Sequence, residues 1–442
     1  MRLETSLVCT SAYATPESFA HFSKHLDAEW IEQALQATGS ASLRRRRLPA
    51  EQVVWLVLGM ALMRDRPIGE VVRQLELALP DKSSRSVAPS SIPAARARLG
   101  AEAMEWLFMR SGSEWAHASA DRNRWRGLAL YGVDGTTLHV PDSDENRQHF
   151  GGHPGHRGES GYPMVCLTAL MALRSHLLAA ASFGPYGVSE RTYAADLWPS
   201  VPDNSLTVMD RGLVQASVLI RLSQGGANRH WLSRAKSSNK WTVCRKVGPG
   251  DFVVEMKVSS EARRKDPTLP KVMLARVIEY RIGKHAPQKL LTSLLDEKAY
   301  PAKELVALYH ERWELEVGYD EIKTTLLDRQ EAIRSKGKEG VHQELWGILL
   351  LYNLVRLEMQ AIADEVQLPP LRISFVAALR FIREEWTWSA LTTSPGAIPK
   401  HLSDLRDKIR QFVLPPRRTE RVYPRAVKVK MSNYDRNRRP AN

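Results

Sequence analysis

Three acidic residues, far apart in the chain, have the surroundings of carboxylates that do chemistry. Asp134 closes the strand-like run LYGVDG, and Asp210 does the same in TVMDRG. An ionised carboxylate beside buried apolar residues is expensive unless a cation or hydrogen bonds compensate it. Two acids at the ends of two apolar strands fall at one edge of a sheet, where α/β sheets hold ligands. Each alone could equally cap the following turn or helix. The third acid lies in YHERWELEVGYDEIK, where Arg312, Glu316 and Lys323 stand three, seven and fourteen positions after Tyr309. On a continuous helix these four side chains share a stripe roughly 60° wide. Ion pairing of Arg312 with Glu316 on an exposed helix would explain part of that pattern. A carboxylate between cations also suits a divalent ion beside a phosphate, with Glu316 on the ion and Arg312 and Lys323 on anionic oxygens.

The elements around these residues read as a mixed α/β chain. Residues 19 to about 125 are helical in pattern. Glu51–Asp65 carries an apolar stripe behind Pro49, and a polar turn with a cap at Ser90 or Ser91 leads into a helix bearing Arg96 and Arg98. That order is compatible with a helix-turn-helix reader of DNA and equally with plain helix packing. The run Arg44–Arg47 reads as a phosphate clamp or a solvated face. From Leu128 short β-prone runs alternate with helical pattern, which predicts a mixed sheet flanked by helices. Residues 228–300 read as a β-rich insert, and helices return at Ala302. In the insert, Trp231, Arg234 and Lys236 could grip DNA, the indole stacking a displaced base; a core Trp with surface cations fits as well.

Composition narrows the partners. The 442 residues carry 63 Lys and Arg against 49 Asp and Glu, a formal net charge of +14, which points to a polyanion or, less specifically, to a basic solubilising surface. The tail after Pro416 holds nine Lys and Arg against two acids, a pattern for phosphate contact or for a disordered tail. Three scattered cysteines exclude a disulfide framework and a CxxC knuckle. His149, His153 and His156 sit among Gly and Pro without a fourth ligand, so they read as a loop and not as a zinc site. The apolar runs Val53–Met63 and Leu345–Val355 are shorter than the ~18 residues of a membrane span and read as core helices. The opening segment has no proper apolar stretch, so no signal peptide is expected and the chain is placed in the cytoplasm.

Taken together, D-G-T after one strand, D-R-G after another and Tyr-x2-Arg-x3-Glu-x6-Lys on a helix resemble the signature of DDE transposases of the insertion-sequence-four family. GTTLHVPDSDENRQHFG after Asp134, KLLTSL ahead of the signature helix and the basic RVYPRAVK near the end are similar to that family as well. The resemblance implies an RNase H-like catalytic core at 126–227 and 301–340, interrupted by the β-rich insertion at 228–300. A helical N-terminal DNA-binding domain (1–125) precedes it, and a helical C-terminal region with a basic tail (341–442) follows. It further implies Asp134, Asp210 and Glu316 as the metal-binding catalytic triad, with Tyr309, Arg312 and Lys323 contacting DNA near the cleaved end. His310 and Glu311 stand in the signature where the family often has other polar residues. The expected cofactor is two Mg²⁺, which Mn²⁺ can replace. The expected partners are double-stranded element ends and target DNA, bound by a homodimer associated with the nucleoid, with no membrane. Alternatives are a nuclease with the same core that cuts without joining, and a non-catalytic basic repressor.

Overall fold

The computed structural model describes residues 25–41, 48–75, 87–155, 161–281, 286–328, 333–392 and 405–415, with Phe22, Leu77, Gly158 and Glu159 as isolated positions. The Arg44–Arg47 run, His156 and the basic tail after Pro416, with its RVYPRAVK segment, lie outside the described residues.

Among the described residues five helices come first: α1 (Ala28–Ala37), α2 (Ala50–Leu62), α3 (Ile68–Gln74), α4 (Ser91–Leu99) and α5 (Glu102–Arg122). The expected stripe on α2 is instead an all-round apolar surface, because every residue from Gln52 to Leu62 is buried. Such a helix belongs inside a core. Its neighbours are α1, α4 and the 28-residue α12 (Lys338–Glu365). α12 is long and apolar enough to cross a membrane, but 83% of its apolar window is buried inside the fold.

A nine-stranded sheet follows, in the order β5-β4-β1-β6-β7-β11-β10-β9-β8, with β5 spanning Leu178–Pro185. Its heart is β1 (Ala129–His139), antiparallel to β4 (Met164–Ala172) on one side and parallel to β6 (Ser205–Met209) on the other, with β7 (Arg229–Arg234) parallel beyond β6. β6 is buried along its whole length, as a parallel strand covered on both faces must be. Alternation sorts the side chains. Leu130, Leu138, Leu206, Val208 and Leu232 enter the core under α2, α12 and the signature helices, whereas Tyr131, Val133, Met209 and Trp231 face α7 (Glu190–Asp196) and α8 (Ala216–Gln224). This is the RNase H-like α/β core.

One boundary and one helix role are settled by the packing. The insertion does not begin at 228, because β7 is a core strand with apolar residues on both faces. The strands after it, β8 (Thr242–Gly248), β9 (Asp251–Lys257), β10 (Val272–Tyr280) and β11 (Gln288–Thr292), extend the same sheet through the antiparallel pair β11–β7. A buried bidentate pair, Arg276 with Asp251, stitches β10 to β9. Nor is the basic helix α4 a free reading helix at Arg96. That guanidinium donates to Gln343 Oε1 at 2.8 Å and Ser335 Oγ at 3.0 Å, tying the helix to the start of α12. Burial pulls its pKa below the ordinary value, against the charge of Glu344.

Candidate active site

The signature does not form one continuous helix. Residues 302–326 form α10 (Ala302–His310), a turn at Glu311 and Arg312, α11 (Trp313–Asp320) and a wide π-helical turn, Glu321–Leu326. The single 3.6-residue stripe therefore fails as geometry, while its contents are largely brought together. Arg312, at the start of α11, donates from Nη2 to Glu316 Oε1 at 2.8 Å and from Nη1 to Asp134 Oδ2 at 3.4 Å. Lys323 lies past the start of the wide turn and has no hydrogen bond or ion pair with Tyr309, Arg312 or Glu316. Such turns concentrate at functional sites.

Asp134 is in the middle of β1 and not at its end, since the strand runs on to His139 against β4. What ends beside it is β6. The register pairs Val133 with Met209, so Asp134 and Asp210 occupy the next step on two parallel strands, about 4.8 Å apart at the backbone. Both fall on the alternation that faces α11. Asp210 also turns the chain, its carboxylate accepting from Gly212 N at 3.2 Å. Leu315 of α11 packs where Gly132 leaves room, since a Cβ at 132 would come within 2.8 Å of it. Tyr319 fixes the helix to the strands. Its hydroxyl donates to the Asp134 carbonyl at 2.5 Å and accepts from Ala169 N at 3.1 Å.

The charges at this edge are not balanced. Burial raises the pKa of Asp134 to about 6. Gly135 N–H and Arg312 oppose the rise, and Glu190 and Asp210 add to it. Glu190, at the start of α7, is raised by burial and by the charge of Asp210. Around Asp210 stand cations. Lys236 Nζ donates to the carbonyls of Gly212 and Val214 at 3.2 and 3.1 Å, and its pKa is lowered by burial and by the charges of Arg191 and Arg211, against Asp210. Arg234 and Arg312 line one open cleft of about 360 Å³ with Asp210, Tyr309, Tyr280 and Trp313. Tyr309 is mostly buried in its wall, and burial raises its phenol pKa. His310 is a further wall residue, and Glu311 forms a bidentate pair with Arg174, so both signature departures have places in the structure.

Trp231 does not fit the role of stacking a displaced base. It is 1% exposed, in the core under α8, because its position on β7 faces away from the cleft. The exposed indole at the cleft is Trp313, at 56%. The sequence reading missed Glu190, Tyr319 and Trp313. Tyr319 and Trp313 lie inside the signature segment, where spacing from Glu316 could have found them. Glu190 had no signal beyond an acid in the first turn of a helix.

The donor set fits hard divalent cations, which take carboxylate oxygens. A partly desolvated Asp134 with a raised pKa is a carboxylate short of positive charge. Among the described residues no three acidic, His or Cys side chains close tightly enough to enclose an ion as they stand. Arg312 sits between Asp134 and Glu316.

Comparison with known proteins places the chain in a family. The profile described as "Transposase DDE domain" matches residues 126–354, and "Insertion element 4 transposase N-terminal" matches 16–109. "Transposase InsG for insertion sequence element IS4" of Escherichia coli (strain K12) is 38% identical over 417 residues, 93% of this chain and 92% of that protein. "Putative transposase InsZ" of the same organism is 36% identical over 219 residues, 49% of this chain and 72% of that protein. Among solved structures, the piggyBac transposase synaptic complex with hairpin DNA aligns with a TM-score of 0.46 at 11% identity, covering 92% of this chain and 87% of that one. The family uses divalent metal and binds DNA. The chain belongs to the insertion-element-4 family of DDE transposases.

Proposed function

We propose that this transposase cuts DNA at the terminal inverted repeats of its own element and joins the freed ends to target DNA, with Asp134, Asp210 and Glu316 as the metal-binding catalytic acids. What supports the reading is that Asp134 and Asp210 lie one step past paired residues on neighbouring strands while Arg312 is bonded to both Asp134 and Glu316. Two Mg²⁺, replaceable by Mn²⁺, would activate the attacking oxygen and neutralise charge on the in-line phosphoryl transition state. The protein's own part is to hold the strand. Arg312 leaves its carboxylate partners to grip a phosphate, Arg234 and Lys236 face the same anion, and Tyr309 lines the wall. Lys323 reaches DNA beyond the wide turn. A homodimer would pair two element ends, in the cytoplasm at the nucleoid.

Purified full-length chain incubated with its own element-end duplex and Mg²⁺ should nick the end and transfer it to a target plasmid. Asp134→Ala, Asp210→Ala and Glu316→Ala should each abolish both steps while retaining end binding. Cleavage without transfer would favour a nuclease, and undiminished cleavage by all three variants would refute the assignment.

A further inference from the structure

We propose that the β4–β5 hairpin is a clamp on the signature segment, with Arg174 and His176 as positioning residues for DNA cleavage; this rests on the proposed function above. The segment around α11 has two faces. Arg312 and Glu316 are turned to Asp134. Glu311 and Glu314, nearly opposite them at about 100° per residue, are held by the tip of the hairpin, residues 173–177. Arg174 grips Glu311 with two prongs, Nε to Oε2 at 3.0 Å and Nη2 to Oε1 at 2.9 Å. Its remaining nitrogen, Nη1, donates to the Asn123 carbonyl at 3.1 Å, so the end of α5 orients the guanidinium. His176 Nε2 bonds Glu314 Oε2 at 2.9 Å.

Packing alone does not account for these contacts. The burial of Leu315 keeps α11 on the sheet, but apolar contact is non-directional and lets a helix roll or slide. Two N–H groups on one carboxylate fix a direction. The hairpin also accepts a strained residue. His176 is 1% exposed and has a backbone φ of +62°, a region that disfavours most side chains other than Gly or Asn. A glycine would make that turn without strain. What the histidine adds is a ring that reaches the signature at Glu314 and at Glu321. The hairpin continues β4, whose Ala169 pairs with Asp134, and Tyr319 near the end of α11 bonds both residues. The β1–β4 pair therefore fastens α11 at both ends and carries the acid that Arg312 and Glu316 face.

Single-turnover nicking of element-end duplex by the full-length chain, at saturating DNA and well below each melting midpoint, tests the clamp. Arg174→Gln should slow nicking roughly tenfold to a hundredfold, the effect of a small misplacement at a reacting centre. Affinity for end DNA should stay within about twofold, since many phosphate contacts supply it. The midpoint should barely move, because a part-exposed ion pair adds little stability. Arg174→Lys should recover part of the rate. His176→Asn can keep the left-handed turn but falls short of Glu314, and it should slow nicking to a similar degree. Combined with Arg174→Gln it should cost less than the product of the two losses, since both release one segment. Lys265→Gln, which breaks an exposed i,i+4 pair with Glu261, should leave the rate unchanged. Should His176→Asn fail to fold, Arg174→Gln decides alone. A wild-type rate in Arg174→Gln, with nicking lost in Asp134→Ala, would overturn the clamp and leave the proposed function standing. A rate loss that follows DNA affinity would mark a binding role, and one that follows the midpoint a structural role; either overturns the clamp. No nicking by the unaltered chain would overturn both readings.

Discussion

Two ionic clusters flank the signature helices, and they are built on opposite terms. Behind the wide turn, Glu321 meets Arg356 and His176, and Tyr352 donates to the same Glu321 oxygen at 2.8 Å. His176 also bonds Glu314 at 2.9 Å. Charge is matched there, and the pKa of Glu321 is driven down to about 2 because the Arg356 and His176 interactions outweigh burial. In front, burial raises the pKa of Asp134 to about 6, the charges of Glu190 and Asp210 add to the rise, and Gly135 N–H and Arg312 only partly oppose it. A cluster that completes its own pairing holds the fold together. One that leaves negative charge unmet is arranged for something the protein must acquire, here metal and the DNA it bridges.

The contrast can be broken at several points. The largest effect belongs to the front cluster: Asp210→Asn should reduce end cleavage by on the order of 10³-fold, measured by single-turnover nicking, with little change in the melting midpoint. Next comes the rear cluster, where Glu321→Gln leaves Arg356 buried without its counter-charge. That should destabilise the fold by about 3–5 kcal/mol in urea titrations. The sign with pH follows from the depressed pKa. The contribution of Glu321 is fully present above its unfolded value of about 4.3 and is lost as pH falls toward about 2, so wild type and variant should converge in stability only under strong acid. The smallest effect tests the corrected Trp231. Trp231→Phe should cost about 1–2 kcal/mol through lost core packing and leave the cleavage rate of the folded fraction unchanged.

Much of the site was legible in the sequence because its chemistry is written in residue types. Asp134 and Asp210 stand beside apolar runs that become adjacent strands, and Arg312 and Glu316 are four apart, the spacing at which they are found bonded. What was not legible depends on tertiary competition. The periodicity argument assumed one straight helix, but the turn at Glu311–Arg312 and the wide turn at Glu321, held by Arg356 from behind, redirect Lys323. Residue types alone leave Trp231 open between a binding surface and a core; pairing of β7 with β6 makes it a core strand and turns the indole inward. The pattern of α4 left DNA reading and helix packing open, and at Arg96 it is α12, nearly 250 residues later, that supplies the packing partner Gln343.

The central claim is that the front edge is kept short of positive charge for the sake of catalysis. Asp134→Asn tests it most directly, with thermal or urea unfolding in metal-free buffer at pH 7 and Mg²⁺-dependent nicking of element-end DNA measured on one preparation. Removing a buried, repelled charge should stabilise the fold by about 1–3 kcal/mol and abolish nicking together. A variant that is less stable than wild type, or that still nicks, would contradict the account.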